Sequence, residues 1–130
     1  MLESQNIEYK SSWHNDYLKW ICGFANAQGG KIYIGMNDAA TVIGVENQKT
    51  LMEEIPNKIK NNMGITAEVN LLHEGDKDYI EIVVQPYSVP ISLRGRYYYR
   101  SGSVMQELTG AALNDFLLKR AGYTWDDVID

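Results

Sequence analysis

The sequence is poor in cysteine, histidine and proline, and its acidic residues outnumber its basic ones. It contains one Cys, two His and three Pro in 130 residues. The lone Cys22 excludes an intramolecular disulfide and favours a reducing setting. No apolar run approaches the roughly 20 residues that a membrane helix needs, and the polar start of the chain predicts no signal peptide. We therefore expect a cytoplasmic protein without a membrane partner.

The charge balance limits how this chain can meet nucleic acid. Lys and Arg number 12 against 17 Asp and Glu, which gives a formal net charge of −5. Phosphate binding needs local cationic charge. The composition therefore argues against an electrostatic grip by the whole chain and leaves room for a local basic patch. The length fits one domain, which we place at residues 1–122, with residues 123–130 as a tail or linker.

The stretch Ile21–Asp38 contains the clearest structural signals. Its apolar spacing changes from helical to strand-like across Gly29 and Gly30. Gly29 is well placed as the left-handed stop of a helix, and a buried strand at Lys31–Gly35 follows it. A phosphate loop is disfavoured because these glycines precede a strand and not a helix N-terminus. The strand instead leads to an exposed polar corner that carries Asp38.

The rest of the chain predicts an alternation of strands and helices. We expect Asn15 or Asp16 to cap the first helix, Pro56 to kink or split the second, and Thr109 to start a third with one buried side. The order β-α-β-β-α-β-β-β-α predicts an α+β domain with a mixed, largely antiparallel sheet and about three helices. The other predicted elements are strands at Ile7–Tyr9, Val42–Val45, Thr66–His73, Tyr79–Gln85 and Tyr97–Arg100, and a helix at Gln48–Met63.

Three carboxylates, Glu3, Glu8 and Asp38, form a candidate catalytic and metal-binding set. Divalent cations such as Mg²⁺ or Mn²⁺ take carboxylate oxygens that a fold gathers from distant positions. Glu3 and Glu8 would lie on opposite faces of a straight strand, so they converge only if the chain bends at Ser4–Asn6. A cluster also needs a metal or a basic neighbour such as Lys10 to offset its repulsion. From spacing alone, three solvated carboxylates remain the alternative.

Arginines and tyrosines alternate near the end of the predicted sheet, and a Ser-Gly-Ser loop follows them. Aromatic rings interleaved with arginines can stack on bases and pair with phosphates, and the loop offers hydroxyls and backbone N–H groups to an anion. An ordinary strand with packed tyrosines and solvated arginines is the alternative. The candidate nucleic-acid-binding residues are Lys10, Arg94, Arg96, Arg100, Ser101 and Ser103.

Four motifs follow one another along the chain: E-S-Q-N-I-E-Y-K at Glu3–Lys10, F-A-N-A-Q-G-G at Phe24–Gly30, I-G-M-N-D at Ile34–Asp38 and Y-Y-R-S-G-S at Tyr98–Ser103. In this order they resemble the Schlafen-type AlbA_2 domain, from residue 3 to about residue 118. The family is associated with nucleic acid. In bacteria the domain usually opens a longer protein, assigned as a transcriptional regulator or ATP-binding protein, with ATPase-like and winged-helix parts.

The resemblance also implies site residues. In nuclease-active Schlafens, two glutamates of the first motif and the aspartate after I-G bind a divalent metal and cleave RNA, and these positions are Glu3, Glu8 and Asp38 here. Animal members carry two such lobes and a zinc site of Cys and His residues. With one lobe and one Cys, this chain is expected to lack zinc, and a homodimer would be needed for an equivalent cleft.

Three functions follow as hypotheses. The first is a DNA- or RNA-binding domain of a transcriptional regulator that binds phosphate through the basic residues. The second is an endoribonuclease that depends on Mg²⁺ or Mn²⁺. The third is a dimerisation or interaction domain without a nucleic-acid role, which the acidic net charge favours.

Overall fold

A computed structural model describes residues 6–120, in which strands and α-helices follow the order β-α-β-α-β-β-β-β-α and not the predicted β-α-β-β-α-β-β-β-α. Glu3 and the predicted tail 123–130 lie outside the described residues. The elements in chain order are β1 (Ile7–Lys10), a 3-10 turn (Asn15–Tyr17), α1 (Leu18–Asn26), β2 (Gly30–Ile34), α2 (Gln48–Met63), β3 (Glu68–Glu74), β4 (Lys77–Val84), β5 (Tyr97–Ser101), β6 (Val104–Leu108) and α3 (Gly110–Arg120).

Two sheets form among the described residues. A four-stranded sheet has the order β1-β2-β4-β3, in which β1 runs parallel to β2 and the other neighbours are antiparallel. Strands β5 and β6 form a separate antiparallel pair. The α+β class with mixed, largely antiparallel sheets and three α-helices is thereby confirmed.

The core lies between the four-stranded sheet and the helices α1 and α2. Ile32 and Ile34 of β2 pair with Ile82 and Ile80 of β4, and all four side chains are fully buried. They pack with the apolar faces of both helices in one cluster. Burial of each such side chain stabilises the fold by roughly 1.5–3 kcal/mol. The alternating pattern of β2 was readable because only one of its faces joins this cluster.

The two glycines at the α1–β2 junction each have a defined structural reason. Gly29 has a φ of +75° and donates its N–H to the Phe24 carbonyl at 2.8 Å, which confirms it as the helix stop. A Cβ on Gly30 would lie 2.5 Å from the Phe24 ring. Glycine therefore lets β2 start directly against the helix that precedes it.

The thiol of Cys22 is part of this core. It is fully buried and donates a hydrogen bond to the Ile91 carbonyl at 3.3 Å. Burial raises the pKa of Cys22 to about 11. The reactive form of cysteine is the thiolate, so the geometry excludes a nucleophilic role.

The opposite face of the four-stranded sheet carries a polar and aromatic cluster. The Tyr33 hydroxyl donates to Glu81 Oε2 at 2.9 Å, and Asn70 Nδ2 donates to Glu81 Oε1 at 3.0 Å. The Tyr33 ring lies 5.8 Å from that of Tyr9 and 6.3 Å from that of Tyr79. Burial alone would raise the pKa of Glu81, but these hydrogen bonds and the nearby Lys31 lower it.

Several local predictions were wrong. Val42–Val45 is not a strand, since only Val42 makes an isolated bridge, to Met36. Helix α2 continues without interruption through Pro56, which excludes the predicted split into two helices. Strand β6 was missed because its sequence, Val-Met-Gln-Glu-Leu, shows no clean alternation of apolar and polar residues.

The predicted helix ends also need correction. Within the described residues, neither Asn15 nor Asp16 caps α1; a 3-10 turn leads into the helix instead, and no side chain accepts from its first N–H groups. Helix α3 has no buried residue, and its apolar side chains Leu113, Phe116 and Leu117 are only half-buried. Among the described residues, no helix is long and apolar enough to cross a membrane.

Candidate functional site

Two predicted site residues from opposite ends of the chain meet as a buried ion pair. Arg100 Nη1 lies 2.7 Å from Glu8 Oε1, and the two residues are only 2% and 3% exposed. The guanidinium lies 5.3 Å from the centre of the Trp20 ring and 4.8 Å from that of Phe24. This pair joins strand β1 to strand β5 across helix α1. Charge, hydrogen bonding and cation–π contact all hold Arg100 in place.

Lys10 extends this cluster to the surface. Its Nζ lies 3.4 Å from Glu8 Oε2, and 23% of its side chain is exposed. It also lies 5.3 Å from the Tyr17 ring centre and 5.0 Å from the Trp20 ring centre. Lys10 is therefore a positioned cation with a partly accessible ammonium group.

The Ser-Gly-Ser loop is the turn of the β5–β6 hairpin. Arg100 Nε donates to the Gly102 carbonyl at 3.1 Å, so the buried arginine also fixes the turn. Ser101 and Ser103 are exposed on either side of that contact. The predicted phosphate-binding serines thus lie at the rim of the Glu8–Arg100–Lys10 cluster, and Arg100 itself faces inward.

The three carboxylates of the predicted metal set lie in different surroundings. Both oxygens of the Glu8 carboxylate contact cations, one Arg100 and the other Lys10. Asp38 is exposed on the turn after β2, where the Asn37 side chain fixes the backbone by accepting from Ala39 N and Thr41 N at 3.0 Å. Glu3 lies outside the described residues. Within residues 6–120, no three His, Cys, Asp or Glu side chains are grouped to hold a metal, so the metal role of this set stays a prediction.

Arg94 and Arg96 are presented to solvent by a tight turn. Leu93 and Arg96 exchange backbone hydrogen bonds at 2.7 and 3.0 Å, and the two residues between them, Arg94 and Gly95, have φ values of 53° and 79°. Positive φ at both central positions defines a type I′ turn. Glycine adopts this conformation readily, but a non-glycine residue there costs on the order of 1 kcal/mol or more. Arg94 is therefore held in a strained backbone position.

A groove of about 240 Å³ lies beside this turn. It is lined by Asp16, Lys19, Leu93, Arg94, Arg96 and Tyr98. Arg94 Nε donates to Asn62 Oδ1 at 3.3 Å, and Arg96 lies 3.4 Å from Glu107 at an exposed position. We call the three cations Lys19, Arg94 and Arg96 the cationic groove. Sequence reasoning missed Lys19 because nothing local indicates that α1 and the Arg94 turn are neighbours.

A second missed residue is Asn26, at the end of α1. It is fully buried, and its amide donates to the Ile91 and Tyr98 carbonyls at 2.8 Å while its Oδ1 accepts from Ile91 N at 2.8 Å. These bonds hold both the segment before the Arg94 turn and strand β5 against α1. A polar residue on the apolar face of a predicted helix was the available signal.

These features define an α+β domain whose first strand and C-terminal hairpin are joined by a buried Glu–Arg pair, with a cationic groove beside it. The Schlafen, AlbA_2 family profile matches residues 3–109. The chain belongs to this family, as its four motifs predicted.

Solved structures share the fold. The DIP2311 protein from Corynebacterium diphtheriae superposes with a TM-score of 0.67 at 15% identity over 92% of this chain, which spans 28% of that protein. The N-terminal domain of a RecG-related protein from Nitrosomonas europaea superposes with a TM-score of 0.53 at 20% identity, over 80% of this chain and 83% of that domain. The comparison with curated proteins gave no match.

Proposed function

We propose that this domain binds nucleic acid, DNA or RNA, through phosphate contacts in the cationic groove. The observation that carries this proposal is the Arg94 turn, which presents two exposed arginines beside Lys19. Guanidinium groups suit phosphate because their N–H groups form paired, charge-assisted hydrogen bonds. Backbone strain is retained where a site depends on the resulting geometry, and Arg94 is strained.

Family membership and one structural neighbour support the same reading. The neighbour from Nitrosomonas europaea is named as related to the ATP-dependent DNA helicase RecG. In our proposal the domain is the nucleic-acid-binding part of a longer cytoplasmic regulator, in which ATP binding belongs to other parts. A homodimer would place two grooves on one ligand, and light scattering of the purified domain tests that assembly.

The β5–β6 turn supplies a second contact in this proposal. Ser101 and Ser103 are exposed there, and the partly accessible Lys10 contacts Glu8, the partner of Arg100. Strand β5 separates this turn from the Arg94 turn by five residues, or about 16 Å of extended chain. Arg100 serves the contact indirectly because it holds the turn in place.

Loss of the groove arginines is expected to weaken binding. Arg94→Ala and Arg96→Ala should each reduce affinity for a labelled oligonucleotide roughly three- to tenfold, uniformly across sequences. Asp16→Asn, which removes a carboxylate from the same groove, should raise affinity by about twofold or more. Fluorescence anisotropy at fixed salt measures both effects.

Lys77→Ala is the matched control, because it removes one exposed positive charge from the β3–β4 hairpin and leaves the groove intact. Affinities that fall equally in Lys77→Ala and Arg94→Ala would mean that net charge, and not this groove, governs binding. Absence of any salt-sensitive binding would contradict the proposal outright.

A metal-dependent endoribonuclease is the second candidate, and one observation favours it. Lys10 O at the end of β1 accepts from Gly35 N and Met36 N, so the turn carrying Asp38 starts beside the strand that carries Glu8. The described residues alone do not fit Mg²⁺ or Mn²⁺, since Glu8 is committed to Arg100 and Lys10. The proposal therefore depends on Glu3.

Cleavage of a structured RNA by the full chain with Mn²⁺ tests this candidate. It predicts that Asp38→Ala abolishes cleavage while leaving oligonucleotide binding intact. Asp38→Ala changes an exposed side chain, so its fold should be unaffected. Equal cleavage by the wild-type chain and by the Asp38→Ala variant would point to a contaminating nuclease and would reject the endoribonuclease function.

A further inference from the structure

Three aromatic rings cluster at the start of α1, next in the chain to Asp16, which lines the groove. The Tyr17 ring makes edge contacts with Trp13 at 6.0 Å and with His14 at 5.5 Å between ring centres. His14 is exposed, and Trp13 and Tyr17 are half-buried. Three rings in contact at the surface, with part of each accessible, form a platform on which a planar group can stack.

Helix α2 runs beside this platform and links it to the groove. Trp13 and Glu54 line one depression of about 360 Å³. One helical turn later, Lys58 Nζ donates to Asn15 Oδ1 at 2.7 Å. After one more turn, Asn62 accepts from Arg94.

Residues 54, 58 and 62 share one helix face because they are four positions apart, and they span about 12 Å along the axis. The platform, Lys58 and the groove therefore form one continuous surface. Lys58 adds a fourth cation to Lys19, Arg94 and Arg96.

We propose that this surface binds single-stranded nucleic acid, with bases stacked on Trp13 and His14 and the backbone running past Lys58 into the cationic groove. The inference rests on the proposed function and names its ligand class. A duplex keeps its base faces stacked on each other, whereas a single strand offers them to aromatic side chains. A platform of rings beside a set of phosphate-binding cations therefore fits a single strand, whose bases can stack on the rings while its phosphates contact the cations.

The charges on the surface favour the same ligand. Four carboxylates, Asp16, Glu46, Glu54 and Glu107, lie beside the four cations. Duplex binding relies chiefly on phosphate contacts, and a surface whose cations and carboxylates are equal in number supports few of them. Stacking supplies affinity that does not depend on charge, so a single strand gains more from this surface than a duplex does.

The test compares a labelled single-stranded oligonucleotide of about 12 residues with its own duplex, in DNA and in RNA. We expect the single strand to bind at least about tenfold more tightly. Trp13→Leu should weaken single-strand binding roughly 5- to 100-fold and leave duplex binding unchanged, whereas Trp13→Phe, which keeps a ring, should retain most of it.

Because Trp13 also packs against the core, circular dichroism and thermal melting must show that both variants fold. His14→Ala is the second variant, since its side chain is exposed and its loss leaves the core intact; it should weaken single-strand binding in the same direction. Tyr79→Leu is the control, because it removes a tyrosine from the opposite sheet face.

Equal affinity for single strand and duplex, with Trp13→Leu and His14→Ala unchanged, would overturn this inference and leave the proposed phosphate contacts standing. No salt-sensitive binding to either form would instead reject the proposed function itself. A loss in Trp13→Leu that Trp13→Phe does not recover would also count against stacking.

Discussion

Glu8→Ala is expected to lower the free energy of unfolding by about 3–5 kcal/mol, because it leaves the Arg100 guanidinium buried without its carboxylate. Arg100 of strand β5 is 2% exposed, and its guanidinium packs against Trp20 and Phe24 of helix α1. A charge in such a place cannot be solvated unless the hairpin moves. Since small domains are stable by only about 5–15 kcal/mol, this variant should be near the limit of folding.

Urea denaturation followed by circular dichroism measures the effect. Glu54→Ala is the matched control, as it removes a glutamate from an exposed pair with Lys58 and should cost less than about 0.5 kcal/mol. The double variant Glu8→Ala/Arg100→Met should be more stable than Glu8→Ala alone, because it no longer buries a guanidinium without its carboxylate. A Glu8→Ala protein as stable as the Glu54→Ala control would contradict a buried structural pair.

Asn26→Leu is expected to destabilise the domain by roughly 2–6 kcal/mol, because two buried backbone groups, the N–H of Ile91 and the carbonyl of Tyr98, lose their bonds to the Asn26 side chain at about 1–3 kcal/mol each. The Ile91 carbonyl also loses a bond from Asn26 but keeps the one from the Cys22 thiol. Leucine has the same branched shape and a larger volume, so no cavity forms and the cost comes from lost hydrogen bonds and from crowding. Thermal melting and urea titration both report the loss.

Asn57→Leu on α2 is the comparison for this variant, since Asn57 is exposed and the change should fall within about 0.5 kcal/mol. Asn26→Leu should also weaken oligonucleotide binding at temperatures where it is still folded, because the segment before the Arg94 turn is no longer fixed to α1. Stability equal to that of Asn57→Leu would show that the buried amide does not organise the site.

The stretch around β2 was predictable because one physical signal dominated it. Ile32 and Ile34 alternate with polar or aromatic neighbours, and Gly29 and Gly30 mark the change from helical to strand period. Strand β6 was missed because its side chains are mostly exposed, so no buried face imposed a period of two. Where side chains are exposed, packing does not restrict them to apolar residues, so the spacing of apolar residues does not reveal the strand.

The site was only partly predictable for a related reason. Glu8 and Arg100 were both recognised as functional candidates, but they lie 92 positions apart, and no local pattern shows that they meet. Their burial changes the reading of Arg100 from a surface cation to an internal support for the β5–β6 turn. Lys19 and Asn26 belong to the site because helix α1 packs against strand β5. This contact forms in the tertiary structure, and no local sequence pattern indicates it.

The salt dependence of oligonucleotide binding tests the central claim most directly. The logarithm of the association constant for a single strand should fall linearly with the logarithm of salt concentration, with a slope of about −0.7 for each phosphate contact. The double variant Arg94→Ala/Arg96→Ala should have a slope smaller in magnitude by about 1.4, from two lost contacts, while Lys77→Ala keeps the wild-type slope. An unchanged slope in the double variant would contradict phosphate binding in the cationic groove.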